Sequence, residues 1–461
     1  MADNLYLVTA DGTFTNIANW SQGVVPSGAD GFVTRFDINS PNVSLGASRI
    51  VNFLDCSGYL GTITGVGYNL QVLGTTTLTN TMTLNLGNGS VMCSGSGNIT
   101  SNGLTGFNLR IGGVSQTFTL IDNFTINNLL LGETTGAVIN GNTIYIAGTL
   151  SSSTTAITSG TTNIVMNDTG TWSNSSTGQL RNNLTISSSN VTISGIVRYN
   201  TGTLTISVPI IHLNSHLYIA SSAIIDVNSA GEFGTLRRSG NNTVTLLSDI
   251  NCHTFLVGIT LLATNMSGNY NINVSGDYTV NVTTGSVSGG NIVMTGDGTF
   301  SMPVLTTGSH RNNLTINTAG TIVVSGTIRH WIGLIKIISG TIDATGSTLE
   351  LVVCSLDLQG QTLNNVTLTY SLGSVVTLKS ELKILGILSN ANLHATNDKF
   401  ISDVVGNKRK LTMLAGSSQT ITDLDGTDID SADGYPIITS GALSNTSNWY
   451  SELPNKMFLN L

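Results

Sequence analysis

The sequence predicts an all-β chain, folded as an elongated parallel β-solenoid of about 18–20 residues per coil with distinct N- and C-terminal caps. Three features lead there. Blocks of sequence recur at long, nearly constant offsets. Short apolar–polar–apolar triplets alternate with Gly, Asn and Ser. Charged residues make up only 9% of the 461 residues, against about 25% in an ordinary soluble domain.

The repeats come first. Asn163-Ile164-Val165-Met166 returns as Asn291-Ile292-Val293-Met294. Arg181-Asn182-Asn183-Leu184-Thr185-Ile186 returns as Arg311-Asn312-Asn313-Leu314-Thr315-Ile316. Ser194-Gly195-Ile196-Val197-Arg198 answers Ser325-Gly326-Thr327-Ile328-Arg329, and Leu262-Ala263-Thr264-Asn265 answers His394-Ala395-Thr396-Asn397. The offsets drift from 128 to 132, as single-residue insertions in turns would produce. A fainter copy holds Val91-Met92 and Asn108-Leu109-Arg110-Ile111.

Coil length follows from these landmarks. The series Leu70, Val91, Leu109, Leu129, Ile144, Val165, Leu184, Leu204 advances by 15 to 21 residues. Such a coil holds three short strands joined by tight turns. In Leu184-Thr185-Ile186, Val191-Thr192-Ile193 and Leu204-Thr205-Ile206 two side chains point inward and one outward. One coil cannot bury its own apolar face, but stacked neighbours bury it together. In-register Asn and Thr side chains are expected to form ladders along the stack. If the three Val-Met pairs are equivalent, Met92, Met166 and Met294 share one face, and burying Met with Ile164 or Ile292, two residues before it, hides more area than burying Val.

The domain reading is an N-terminal cap or attachment module at 1–66, a solenoid at 67–400 and a C-terminal cap at 401–461. Asn16-Ile17-Ala18-Asn19-Trp20 near the start is echoed by Asn445-Thr446-Ser447-Asn448-Trp449 near the end. Each Trp is either a buried cap anchor or a sugar-stacking surface.

Composition also bounds the partners. Net charge is −8, against the basic surface a nucleic-acid binder needs. Lysine is absent before Lys336, and Lys408-Arg409-Lys410 is the one basic run. Cys56, Cys93, Cys252 and Cys354 lack the paired short spacing of a zinc site and read as buried free thiols. The Met-Ala-Asp-Asn-Leu-Tyr opening has no secretory pattern, so synthesis in a cytoplasm is expected. No apolar run of about 20 residues predicts membrane insertion.

The opening with Trp20, Val25-Pro26 and Asp30, followed by Thr-, Asn- and Gly-rich short strands, resembles β-helical surface proteins. These are phage tail fibres, tailspikes and head fibres, and bacterial adhesin-like repeat proteins. The resemblance is one of texture along the chain. It implies an exposed structural or attachment protein.

Chemistry-bearing residues are few. Asp277 and Asp297 are 20 apart and Asp226 and Asp249 are 23 apart, near one coil. Either pair could form the two-carboxylate arrangement of a glycoside hydrolase, although acidic residues beside Gly or Asn are usually turn formers. His212 and His216 have a metal-friendly spacing on a helix but lie about 13 Å apart along a strand. Asp423, Asp425, Asp428 and Asp430 resemble the start of a calcium loop, but Gly434 stands where an EF-hand needs Glu. A calcium site there is the single metal expectation. The other reading is a solvated turn.

The expectation is therefore a non-enzymatic structural component of a virus particle, a bacteriophage fibre, spike or decoration protein, for assembly or host-surface attachment. Its partners would be itself, as a homotrimer, other virion proteins and a host-surface glycan, without nucleic acid. It would be made in the host cytoplasm and reside in the virion. The alternatives are a bacterial surface adhesin, extracellular or on the cell surface, and a polysaccharide-degrading tailspike.

Overall fold

A computed structural model of the chain describes residues 2–6, 12–132, 136–153, 157–174, 178–209, 211–219, 222–227, 231–238, 243–258, 264–281, 286–303, 308–369, 373–390 and 398–451. The protein is nearly all β, 1% helical, and winds as a parallel β-solenoid of about 17 turns. It divides into two compact units, Met1–Phe233 and Gly234–Leu461.

In the first unit, parallel pairing is in place from Asp3–Leu5 against Val33–Arg35. An eight-stranded face runs from Arg49–Val51 to Val191–Ser194. Along it Leu70, Val91, Leu109, Leu129, Leu150, Trp172 and Ile193 form one in-register column. A second column stacks Phe124, Ile144, Ile164, Leu184, Leu204 and Ile225. All of these side chains are buried. Each contributes about 1.5–3 kcal/mol relative to exposure, so core size grows with coil number rather than with diameter.

The second unit repeats the design. Ile250, Ile272, Ile292 and Leu314 form one buried column. Phe255, Tyr278, Phe300 and Val324 form another. The segment Ser309–Asp343 is extended over 35 residues, yet it rounds corners at Gly326, Gly333 and Gly340. Each has positive φ (80°, 120° and 92°), a backbone state that a side chain would strain.

Register corrects two details of the sequence reading. In-register residues mostly lie 20 to 22 apart, as with Asn108 and Asn128 (20) and Asn291 and Asn313 (22). The landmark series changed columns midway: Leu129 pairs with Leu150, whereas Ile144 pairs with Phe124 and Ile164. Its 15-residue step is therefore not a coil, and it shortened the average.

The second correction concerns methionine. Met166 and Met294 face the core, with Val165 and Val293 outward. At the fainter copy the phase is opposite: Val91 and Cys93 are buried and Met92 is not. Val91–Cys93 also lies on the eight-stranded face, whereas Met166 pairs with Ile146 and Ile186 on the strands that carry the second column. The three pairs are not equivalent. In Val-Met-Cys the residue after Met is apolar, and alternation buries Val and Cys together.

Val51 pairs with Val72, and Asp398–Ser402 is one strand paired with Val375–Leu378.

The Asn-Asn signature has a physical basis. Asn182 and Asn312 point inward, where Asn312 Nδ2 donates to the Gly289 carbonyl at 2.6 Å. The following Asn183 and Asn313 point outward and donate to Asn163 and Asn291, each at 3.0 Å. Thr279 and Ser301, Thr321 and Thr341, and Thr367 and Ser389 form hydroxyl rungs at 3.2, 2.7 and 2.9 Å. The expected ladders are present, and they satisfy the surface with few charges.

Candidate functional site

The residues singled out for chemistry are mostly occupied in joining coils. Asp277 Oδ1 accepts the Thr299 N–H at 2.8 Å. Asp297 Oδ1 accepts the Thr321 N–H at 3.1 Å and the Thr318 hydroxyl at 3.4 Å. A Cβ on Gly320 would lie 1.7 Å from that same oxygen, so glycine is what lets the carboxylate seat. In register, Tyr278 pairs with Phe300, which places Asp277 over Thr299 rather than Asp297. The two aspartates act one after the other as clips on the next coil.

The other pair behaves similarly. Asp249 accepts the Asn271 N–H at 2.7 Å and its side-chain amide at 3.3 Å. Asp226 lies in register with Thr205 in the first unit. His216 is exposed and in register with Ile196. The side chain of His212 and all of His394 lie outside the described residues, as do residues 262–263 of the repeated blocks. His253 Nδ1 meets the Ser275 hydroxyl at 3.1 Å.

The expected calcium site is not assembled. Asp423 accepts from the Ser440 hydroxyl, and Asp425 from the Ala442 N–H at 2.5 Å. Asp428 accepts from the Gly406 N–H at 2.8 Å and from the Asn445 amide. Asp430 closes its own turn on the Ala432 N–H at 3.0 Å. Asp423 and Asp428 sit at φ 53° and 55°, left-handed positions that aspartate tolerates. The four carboxylates are thereby directed to different partners. Among the described residues, no three His, Cys, Asp or Glu side chains are grouped to hold a metal.

The basic run is engaged as well. Arg409 Nε pairs with Asp403 at 2.6 Å, Lys410 pairs with Asp433, and Lys408 donates to the Ser447 hydroxyl. The Asp403 carboxyl is held below its ordinary value chiefly by the Arg409 hydrogen bond.

Both Trp residues of the echoed motif are anchors. Trp20 is 3% exposed and packs edge-on against Tyr6 and Phe14, with centroids at 4.9 and 5.0 Å. Its indole N–H donates to the Phe14 carbonyl at 2.9 Å. Trp449 is buried and donates to the Ser431 hydroxyl at 2.9 Å. The echoed motif is chemical, not conformational. Ile17–Asn19 is a short 3-10 turn, whereas Asn445 and Asn448 have φ 50° and 58°. The sugar-stacking reading of these two residues is thereby set aside.

All four cysteines are free and buried. Burial pushes the Cys93 and Cys354 thiols up to about 12, so they are unreactive core residues. The second unit carries an open pocket of about 330 Å³ whose one acidic lining residue is Asp343. It lacks the second carboxylate that glycoside hydrolysis uses.

One constellation escaped sequence reading. His310 and His330 are fully buried, and their Nδ1 atoms lie 3.0 Å apart. They are 20 residues apart, one coil, and that spacing was the available signal.

Among the described residues no helix is long and apolar enough to cross a membrane. No family model, curated protein or solved structure matches this chain.

Proposed function

We propose that this chain is a non-enzymatic structural component of a virus particle, a bacteriophage fibre, spike or decoration protein used in assembly or host-surface attachment. A β-solenoid is typical of fibre, spike and adhesin proteins. The observation that carries the reading is the placement of Asp277 and Asp297. Each is an inter-coil clip, with Gly320 packed against the second. Carboxylates so placed favour a mechanical role over hydrolysis.

Self-association as a homotrimer belongs to the same proposal. Ile332 and Val353 stack in register and stand 49% and 44% exposed. Apolar outward rows of this kind suit a cyclic interface between copies. The protein would be made in the host cytoplasm and reside in the virion, in contact with other virion proteins and with host-surface glycan.

The test is a mass-spectrometric inventory of purified particles, with antibody labelling in the electron microscope. The chain should appear at fixed stoichiometry on the particle. Recovery in bacterial envelope fractions alone would instead identify an adhesin. Release of reducing ends from host glycans, abolished by Asp277→Asn or Asp297→Asn, would identify a tailspike enzyme.

A further inference from the structure

The second unit holds an aromatic column in its core. Phe255, Tyr278 and Phe300 stack nearly parallel, with centroids 5.4 and 5.2 Å apart and interplanar angles of 8° and 5°. His310 meets Tyr278 and Phe300 edge-on at 5.6 and 5.5 Å. His330 lies beside His310, ring centroids 5.2 Å apart. Both histidines are 0% exposed.

At 3.0 Å between Nδ1 atoms, one ring must donate and the other accept. Two neutral imidazoles, one with its proton on Nδ1, make that bond without burying a charge. Protonating either ring at its free nitrogen leaves a cation in apolar surroundings. Protonating both removes the bond and sets two like charges in contact. His310 Nε2 and Tyr278 Oη have no hydrogen-bond partner among the described residues.

Among the described residues, the side chains facing the pair are uncharged. From the aromatic column the titratable group facing the pair is Tyr278, kept neutral by burial. On the segment paired with His310, Val287 stands between Ser286 and Ser288. Opposite His330 stands Leu351. Its neighbour Glu350 pairs outward with Arg329 at 2.6 Å, and Arg311 lies over the Trp331 ring at 4.2 Å. On the same strand as Leu351, Cys354 is a neutral buried thiol.

We propose that the His310–His330 pair is an acid-sensitive lock, which holds the coils of the second unit closed while both rings are neutral and lets them open locally when either is protonated. Burial lowers both rings. The proximity of His330 lowers His310 further, and His330 falls to about 4 despite an upward pull from the Gly333 backbone. The closed form therefore binds fewer protons than the open form between pH ~6.5 and about 4. Closure is fully favoured above that window and weakens as pH falls through it.

The test is hydrogen exchange on the full chain at pH 7.0 and 4.5, corrected for intrinsic rates. For His330 alone, linkage between about 4 and ~6.5 raises the opening constant roughly 50-fold between those pH values. Peptides within 309–330 should show at least that increase. Peptides within 97–132, which contain no histidine, serve as the reference and should change far less. The double variant His310→Phe/His330→Phe should lose the difference. Nitrogen-15 NMR of the wild-type histidines does not depend on the variant's folding. It should show both buried rings neutral at pH 5.5, with one proton on the Nδ1 pair. A charged ring at pH 5.5, or equal protection of 309–330 at both pH values, would overturn the proposal. So would an equal loss in the reference peptides.

Discussion

Asn183 joins its neighbours on both sides: its Nδ2 donates to Asn163 Oδ1 at 3.0 Å, and its own Oδ1 accepts the Thr203 N–H at 3.0 Å. Asn313 repeats the arrangement with Asn291 and the Leu334 N–H, again at 3.0 Å. Asn183→Ala and Asn313→Ala each remove two inter-coil hydrogen bonds. Each should lower stability by about 1–2 kcal/mol, read as a shifted denaturation midpoint. A shift near zero would mean that water replaces the rung without loss.

The methionine phase gives a second test. Met166 and Met294 are fully buried and Met92 is not. Met166→Ala and Met294→Ala should each cost about 2–5 kcal/mol, and Met92→Ala under about 1 kcal/mol. A comparable loss at Met92 would contradict the observed alternation.

Acid should act separately on residues 398–451. The Asp428 carboxyl is held below its ordinary value first by the Gly406 N–H and then by the Asn445 amide. Asp403 is lowered by Arg409. Both folded values lie below the unfolded value of 3.8. Their contribution is thus present above that value and lost as pH falls through the folded one. Exchange protection at 424–430 should hold at pH 5 and drop at pH 3. Asp428→Ala should make the two conditions more alike. Added calcium should leave this region's melting unchanged, since the four carboxylates have separate partners.

Self-association is open to direct measurement. Sedimentation of the purified chain at micromolar concentration should give a trimer. Ile332→Lys and Val353→Lys place charge on the exposed row and should shift the distribution toward monomer without loss of β signal. A wild-type monomer would remove the trimer from the proposal.

Much of the fold was legible because the relevant physics is local. Alternation in Leu184-Thr185-Ile186 states which residues face inward. The Asn-Asn pairs state where a turn meets a ladder. Scarce charge states that the surface is satisfied by neutral hydrogen bonds. The candidate site was legible only as single residues. Asp277 and Asp297 are separated by about one coil, yet the 22-residue step between Asp277 and Thr299 moves Asp297 off Asp277's position.

By itself the sequence determined a parallel stack, its inward triplets and its Asn and Thr rungs. These depend on residues a few positions apart and on one approximate period. The tertiary structure alone decided which column each strand joins, and so the coil length and the contact of His310 with His330. The physical reason is that turn length sets the register. One extra residue in a turn lengthens the step between stacked residues, while the strand's own pattern stays the same.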